Sequence, residues 1–214
     1  MNIHLIRETS RGTECIIPAD HLFQQRKIFF QEKVTTDSAM ELLHLLMCAE
    51  DEAPGEPVTL YLASPGGDVS SGLFIYDYIQ SMRSPVDTVC IGTAASMGAI
   101  LFLAGRHRTI WPHARLMLHD PSFAGGELSG LKPGELRDKL NDLRKVQRTL
   151  VELIEERTGL SKKEIYAITA EDTYFTAREA LEKGLATALA GLPATPETVA
   201  PMVLPESEKY CPGA

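Results

Sequence analysis

Apolar residues recur along this chain with two different periods, and the way the two alternate is the first guide to its fold. Met40, Leu43, Leu46 and Met47 repeat at helical spacing after Thr36-Asp37-Ser38, which offers helix caps, and the run stops before Pro54-Gly55. Val58-Thr59-Leu60-Tyr61-Leu62-Ala63 is short and rich in β-branched and aromatic residues, which predicts a strand. A glycine turn, Ser64-Pro65-Gly66-Gly67, follows, and Leu73, Ile75, Tyr76 and Ile79 then predict a helix. The same order returns downstream. Val86 to Ile91 reads as a strand, Gly92 to Ala95 as a small-residue turn, and Met97 to Leu103 as a buried helix. Arg115 to Leu118 predicts a further strand that leads into His119. Strand, glycine turn, helix and strand in succession predict an α/β fold of parallel strands joined by crossover helices. The turns that follow such strands share one edge, where sites are usually built.

The strongest helical pattern runs through Leu136, Leu140, Leu143, Val146, Leu150 and Leu153. It predicts a helix from about Gly134 to Thr158, stopped by Gly159, long enough to project from the body and meet another subunit. The glycine-rich stretch Gly125 to Pro133 before it reads as a loop. Ser161 with Glu164, and Thr176 with Glu179, form two capping boxes for shorter helices, and Gly184 is a C-cap. The first thirty residues read as irregular, with Arg7 to Gly12 exposed and Lys27-Ile28-Phe29-Phe30 beginning the first strand. Pro193, Pro196, Pro201, Pro205 and Pro212 mark residues 191–214 as a flexible tail after a body of residues 1–190.

Composition narrows the class without changing this outline. A chain of 214 residues, 44% hydrophobic and 23% charged, is an ordinary globular domain, neither collagenous nor disordered nor disulfide-dense. Its net charge of −8 argues against a basic face for nucleic acid or an anionic membrane. Cys15, Cys48, Cys90 and Cys211 lack CxxC or zinc-ligand spacing, so they read as buried reduced thiols. The N-terminus has no apolar core of a signal peptide, and the expected setting is the cytoplasm. Thr88 to Gly105 carries no charge, but Gly92 and the polar Thr93 and Ser96 divide it into strand and helix, not a membrane span.

The candidate nucleophile is Ser96. Small residues flank it, Gly92-Thr93-Ala94-Ala95 before and Met97-Gly98-Ala99 after, as a tight strand-to-helix turn requires. A serine at the head of a helix stands beside unpaired backbone N–H groups, and the Met97 N–H is placed to be half of an oxyanion hole. A serine there also serves as an ordinary helix cap, and the residue alone does not separate the two. Gly66-Gly67 could supply the second N–H. Neither GxGxxG nor GxxxxGK[ST] occurs, so nothing points to ATP binding by this chain. Of six histidines, only His119 directly follows a strand-like run, on the edge expected for Ser96 and Gly67. The acid that would orient it stays open among Asp120, Asp138, Asp142 and Asp172, with Asp120 expected to point elsewhere.

Ser64-Pro65-Gly66-Gly67, Gly92-Thr93-Ala94-Ala95-Ser96-Met97, Leu116-Met117-Leu118-His119-Asp120-Pro121 and Glu171-Asp172 through Gly184-Leu185 resemble, in order, the proteolytic subunit of the ATP-dependent Clp protease. The likeness spans about residues 5 to 190. It implies a crotonase-like spiral of ββα units, an N-terminal axial segment over residues 1–20, and a handle over about 122–158 that joins two stacked heptameric rings. It also implies Ser96 as nucleophile, His119 as general base, Asp172 as orienting acid, and the Gly67 and Met97 N–H groups as oxyanion hole. No metal or organic cofactor is implied; ATP is used by a partner AAA+ unfoldase that feeds unfolded protein to an enclosed chamber. The other readings carried forward are a non-catalytic or specialised subunit of a mixed ring, and a crotonase-type acyl-CoA enzyme.

The chain departs from the family pattern in places. The usual His-Gln-Pro is His119-Asp120-Pro121 here. The residue before the orienting Asp, commonly an Arg in an ion-pair network between rings, is Glu171, and Ala170 precedes it. The handle stretch is a few residues longer and contains Pro133. Tyr61 matches the apolar pocket that receives ATPase loops, whereas another pocket position, usually aromatic, is Thr109.

Overall fold

The alternation seen at 58–62 becomes the two faces of a sheet: Val58, Leu60 and Leu62 are buried, and Thr59 and Tyr61 are half-exposed. The computed structural model describes residues 5–9, 12–123 and 128–191. The chain runs β1 (Leu5–Thr9), β2 (Gly12–Ile16), α1 (Pro18–Gln24), β3 (Lys27–Phe30), α2 (Thr36–Glu52), β4 (Val58–Leu62), α3 (Val69–Ser81), β5 (Val86–Cys90), β6 (Thr93–Ala95) and α4 (Met97–Leu103). It continues through β7 (Arg108–Ile110), β8 (Arg115–Leu118), α5 (Pro133–Thr158), α6 (Lys162–Thr169), β9 (Thr173–Thr176), α7 (Ala177–Glu182) and β10 (Ala188–Leu189).

Five strands form one parallel sheet in the order β10-β7-β5-β4-β3. A second sheet has the order β6-β8-β9, its first pair parallel and its second antiparallel. The expected α/β class with helical crossovers between parallel strands is therefore what the chain adopts. Every residue of α4 is buried, as an all-apolar helix requires in a globular core. No helix among the described residues is long and apolar enough to cross a membrane.

Three local readings change. Thr93–Ala95, expected as a turn, is the strand β6, because it pairs in parallel with Arg115–Met117 of β8. Small residues carry no strand signature of their own; the partner decides. The N-terminal stretch, expected as irregular, contains the antiparallel hairpin β1–β2 and the helix α1. The long helix is not exposed throughout. Leu136 and Leu140 lie open, whereas Leu150, Val151, Leu153 and Ile154 enter the core. The proline-rich segment after Gly191 and residues 124–127, which include the start of the glycine-rich stretch, lie outside the described residues.

Two arginines pin the end of α5 to the sheet. Arg108, buried on β7, donates to the carbonyls of Leu185, Gly184 and Arg157. Arg157 in turn donates to the carbonyls of Leu103 and Gly105 at the end of α4. These bonds satisfy carbonyls that the helix ends leave unpaired, and they fix the C-terminal half of α5 as a wall beside α4.

Candidate active site

Ser96 joins β6 to α4 with φ 54° and ψ −123°, a backbone conformation costly for a residue with a Cβ. Its surroundings enforce it. The Ala95 N–H donates to the Ser64 carbonyl at 2.9 Å and the Ser96 N–H to the Met117 carbonyl at 2.8 Å. On the helix side, the Ser96 carbonyl accepts from the N–H groups of Ala99 and Ile100. The Ser96 side chain makes no capping bond to α4. The choice between helix cap and exposed hydroxyl is thus decided against the cap.

That hydroxyl meets His119 instead, with Ser96 Oγ 2.9 Å from His119 Nε2. His119 follows β8, and β8 is parallel to β6 with Ala95 opposite Met117, so both residues leave the sheet at the same edge. β9 runs antiparallel to β8 with Leu118 opposite Thr173. The next rung past that pair holds His119 and Asp172. Asp172 Oδ1 lies 3.8 Å from His119 Nδ1, an electrostatic contact longer than a hydrogen bond.

The other acids go elsewhere. Asp120 Oδ2 accepts from Gln147 Nε2 at 2.7 Å. Asp142 pairs with Lys145 at 2.8 Å, and the hydrogen bond from that ammonium holds its carboxyl below the usual range. Asp138 lies on the exposed face of α5. Glu171 is exposed and has no ion pair among the described residues.

The glycine turn after β4 presses against the serine elbow. A Cβ built on Gly66 would stand 2.8 Å from Ser96 Cβ and 2.9 Å from the Met97 nitrogen. Gly67 has φ +149° and bridges Val34, whose carbonyl would meet a Cβ there. Only glycine fits either position. Among the described residues no protein acceptor takes the Gly67 or Met97 N–H. The structure therefore brings Ser96, His119 and Asp172 together and packs the Gly66-Gly67 turn against the serine elbow, with neither the Gly67 nor the Met97 N–H taken by a protein acceptor among the described residues.

Two spaces open onto this edge. A cavity of about 30 Å³ is lined by Ser96, Met97, His119 and the buried half of α5. A broad groove of about 870 Å³ runs past Gly67, Val34 and Pro121. The Val34 bridge had no sequence signal, because it arises from a contact far apart in the chain, and the apolar stripe of α5 was legible without showing what Leu150 and Leu153 pack against. Among the described residues no three His, Cys, Asp or Glu side chains come together to hold a metal ion.

The family model described as Clp protease matches residues 10–191. The chain belongs to the Clp protease family. A relative named ATP-dependent Clp protease proteolytic subunit 1, from Chlamydia muridarum (strain MoPn / Nigg), is 39% identical over 166 residues, covering 77% of this chain and 85% of that one. The match to the Clp protease family takes in both sheets and every residue of the serine–histidine edge.

Tyr61 lies apart from that edge. Its ring stacks on Phe29 with centroids 4.6 Å apart and planes 9° from parallel. Register puts Phe29, Tyr61, Val89 and Thr109 in one row across the sheet. This is the face opposite buried Leu60 and Leu62.

Proposed function

We propose that this chain is a serine endopeptidase subunit of a compartmentalised, ATP-dependent Clp protease, cutting unfolded protein delivered by an AAA+ unfoldase. The observation that carries the reading is the 2.9 Å contact between Ser96 Oγ and His119 Nε2 at the strained turn into α4. Serine is a poor nucleophile until a base in reach takes its proton.

In the proposed reaction Ser96 Oγ attacks a peptide carbonyl while His119 Nε2 accepts the hydroxyl proton. The carbonyl oxygen becomes an oxyanion between the N–H groups of Gly67 and Met97, where one such donor is worth about 3–4 kcal/mol of barrier. His119 then gives the proton to the leaving amine, and the C–N bond breaks to leave an acyl-Ser96. Water enters, His119 takes its proton, and the hydroxide releases the carboxylic acid and restores Ser96. Asp172 stabilises the imidazolium formed in each half. These steps call on side chains and backbone alone, with no metal or organic cofactor.

The chain is proposed to work in heptameric rings, two of them stacked through α5, in the cytoplasm. The exposed Leu136 and Leu140 on α5 and the open aromatic pair Phe29–Tyr61 support contacts beyond one chain. Tyr61 is the proposed docking point for the ATPase. Neither nucleic acid nor membrane is a proposed partner.

A fluorophosphonate probe tests the central claim. Stoichiometric labelling that maps to Ser96 and is lost in His119→Ala is expected. Assembled rings that take up no probe would favour a non-catalytic ring subunit.

A further inference from the structure

The row that holds Phe29 and Tyr61 crosses the whole parallel sheet. Its register runs through Val89 and Thr109 to Ala188 on β10, and none of the five is buried. Trp111, two positions past Thr109 and so of the same parity, is 47% exposed. Aromatic surface left open in this way marks an interaction site. The chain leaves the sheet beside it. The Trp111 N–H donates to the Cys90 carbonyl and the Ala190 N–H to the Ile110 carbonyl, so both edges of the ladder persist to that level. Gly191 comes one residue later, at the β10 edge, and residues 192–214 follow it in the sequence.

We propose that Pro201-Met202-Val203-Leu204-Pro205 of this same chain lies over the Phe29–Tyr61 pair, with residues 192–200 crossing Trp111. Reach allows it. Four strand spacings separate β10 from β3, about 19 Å in all. Residues 192–200 can extend to about 30 Å. The chemistry also matches. Met202, Val203 and Leu204 are three consecutive apolar side chains in a stretch otherwise rich in proline and polar residues, and a methionine thioether packs well against aromatic rings. Pro201 fixes its own backbone and Pro205 holds Leu204 extended, so binding costs little conformational freedom. Proline-bounded segments suit aromatic grooves for that reason. Past Pro205 come Glu206 and Glu208. Lys27 lies two positions before Phe29 on the same face, and it reaches Gln25 but no carboxylate among the described residues. A tethered segment needs only modest affinity, since the tether holds it at a local concentration on the order of millimolar. The segment thereby covers the proposed ATPase docking point and competes for it. That consequence rests on the docking reading; the contact itself does not.

Trp111 is the sole tryptophan and reports on its own cover. The full chain is compared with its Met202→Asp/Leu204→Asp variant. Emission of the variant should lie to the red of wild type, as Trp111 meets water, with an unchanged far-UV circular dichroism spectrum. A synthetic peptide of residues 192–214, which holds no tryptophan, should reverse that shift when added to the variant, with a dissociation constant on the order of 10⁻⁴ M. It should bind wild type at least about tenfold more weakly, because the chain's own segment holds the site. Adding Tyr61→Ser to the variant should abolish peptide binding. Identical emission from wild type and variant, or peptide binding that survives Tyr61→Ser, would overturn the proposal. A difference in emission that vanishes on dilution would assign the cover to a second copy and overturn it as well. Neither readout uses peptide hydrolysis, so failure here leaves the Ser96–His119 reading standing, and an unreactive Ser96 leaves this contact standing.

Discussion

Asp172 Oδ1 stands 3.8 Å from His119 Nδ1, and the Asp172 side chain is 66% exposed. The histidine is therefore steadied by a carboxylate through space and through solvent, not locked by a short bond. An exposed partner at this distance interacts weakly and is screened by salt. Asp172→Asn is expected to lower kcat for peptide hydrolysis by about 10- to 100-fold less than Ser96→Ala does. Initial rates on one peptide under matched conditions check this. Equal losses would show that the carboxylate closes onto the ring in the working assembly.

Ser96→Ala and His119→Ala should each reduce peptide hydrolysis by about 10³-fold or more, and the double variant should be no worse than either single one. The two act as one unit through their 2.9 Å contact. Thermal midpoints should stay close to wild type, because the elbow is held by backbone bonds from Ala95 and Ser96 that neither change removes. Residual activity within tenfold of wild type would overturn the assignment.

Gly67→Ala should damage both stability and activity. Its Cβ would overlap the Val34 carbonyl, and φ +149° is closed to an ordinary side chain. Strain of this kind costs about 1–3 kcal/mol, and each kcal/mol shifts the melting temperature of a chain this size by roughly 2–4 °C. Differential scanning calorimetry should show the drop, and hydrolysis should fall with it as the N–H moves away from the site.

Cys90 is buried, and burial pushes its thiol up to about 11 from an ordinary 9.0. Cys15 and Cys48, expected to be buried, are exposed instead. Iodoacetamide at pH 8 should alkylate Cys15 and Cys48 and leave Cys90 untouched until the protein unfolds, as peptide mass mapping would reveal. A proton bound more tightly in the folded state also fixes the direction of the pH effect. The Cys90 contribution to stability is whole below about pH 9 and is lost as pH climbs towards 11.

Stacking of the proposed rings should resist salt. Glu171 stands where an ion-pairing arginine is usual in the family, and it has no ion pair among the described residues. α5 meanwhile exposes Leu136 and Leu140. Apolar contact is little weakened by sodium chloride, whereas exposed pairs are screened within about 8 Å at physiological strength. Native mass measured from low to high salt should keep the proposed double ring. Dissociation into single rings would mean that Glu171 finds a cation across the interface.

Spacing along the chain was enough to locate β4, α3, β5 and most of α5, because in each the buried positions follow the element's own period, whereas α4 showed as an unbroken apolar run and α2 was found with its face misplaced, Leu42, Leu46 and Ala49 being buried while Met40 and Met47 are exposed. It also placed Gly67, Ser96 and His119 after strands, on a shared edge. β6 escaped, since Thr93-Ala94-Ala95 is a strand only by virtue of lying against β8. The hairpin β1–β2 was likewise invisible, its residues mixing polar and apolar without a clean alternation.

Which acid serves His119 had no local trace. Asp120, Asp138, Asp142 and Asp172 are equivalent as residue types, and the β8–β9 register alone brings Asp172 to the next rung beyond Leu118 and Thr173. The unmet oxygen of Asp120 depends in the same way on α5 being drawn against α4, with Gln147 reaching only one side of the carboxyl. Periodicity is local because each residue's burial follows from its neighbours three, four or two positions away. The 2.9 Å contact, the packing of the glycine turn on the elbow and the sealed Asp120 oxygen come from segments distant in sequence, so they exist only once the sheets and helices have packed.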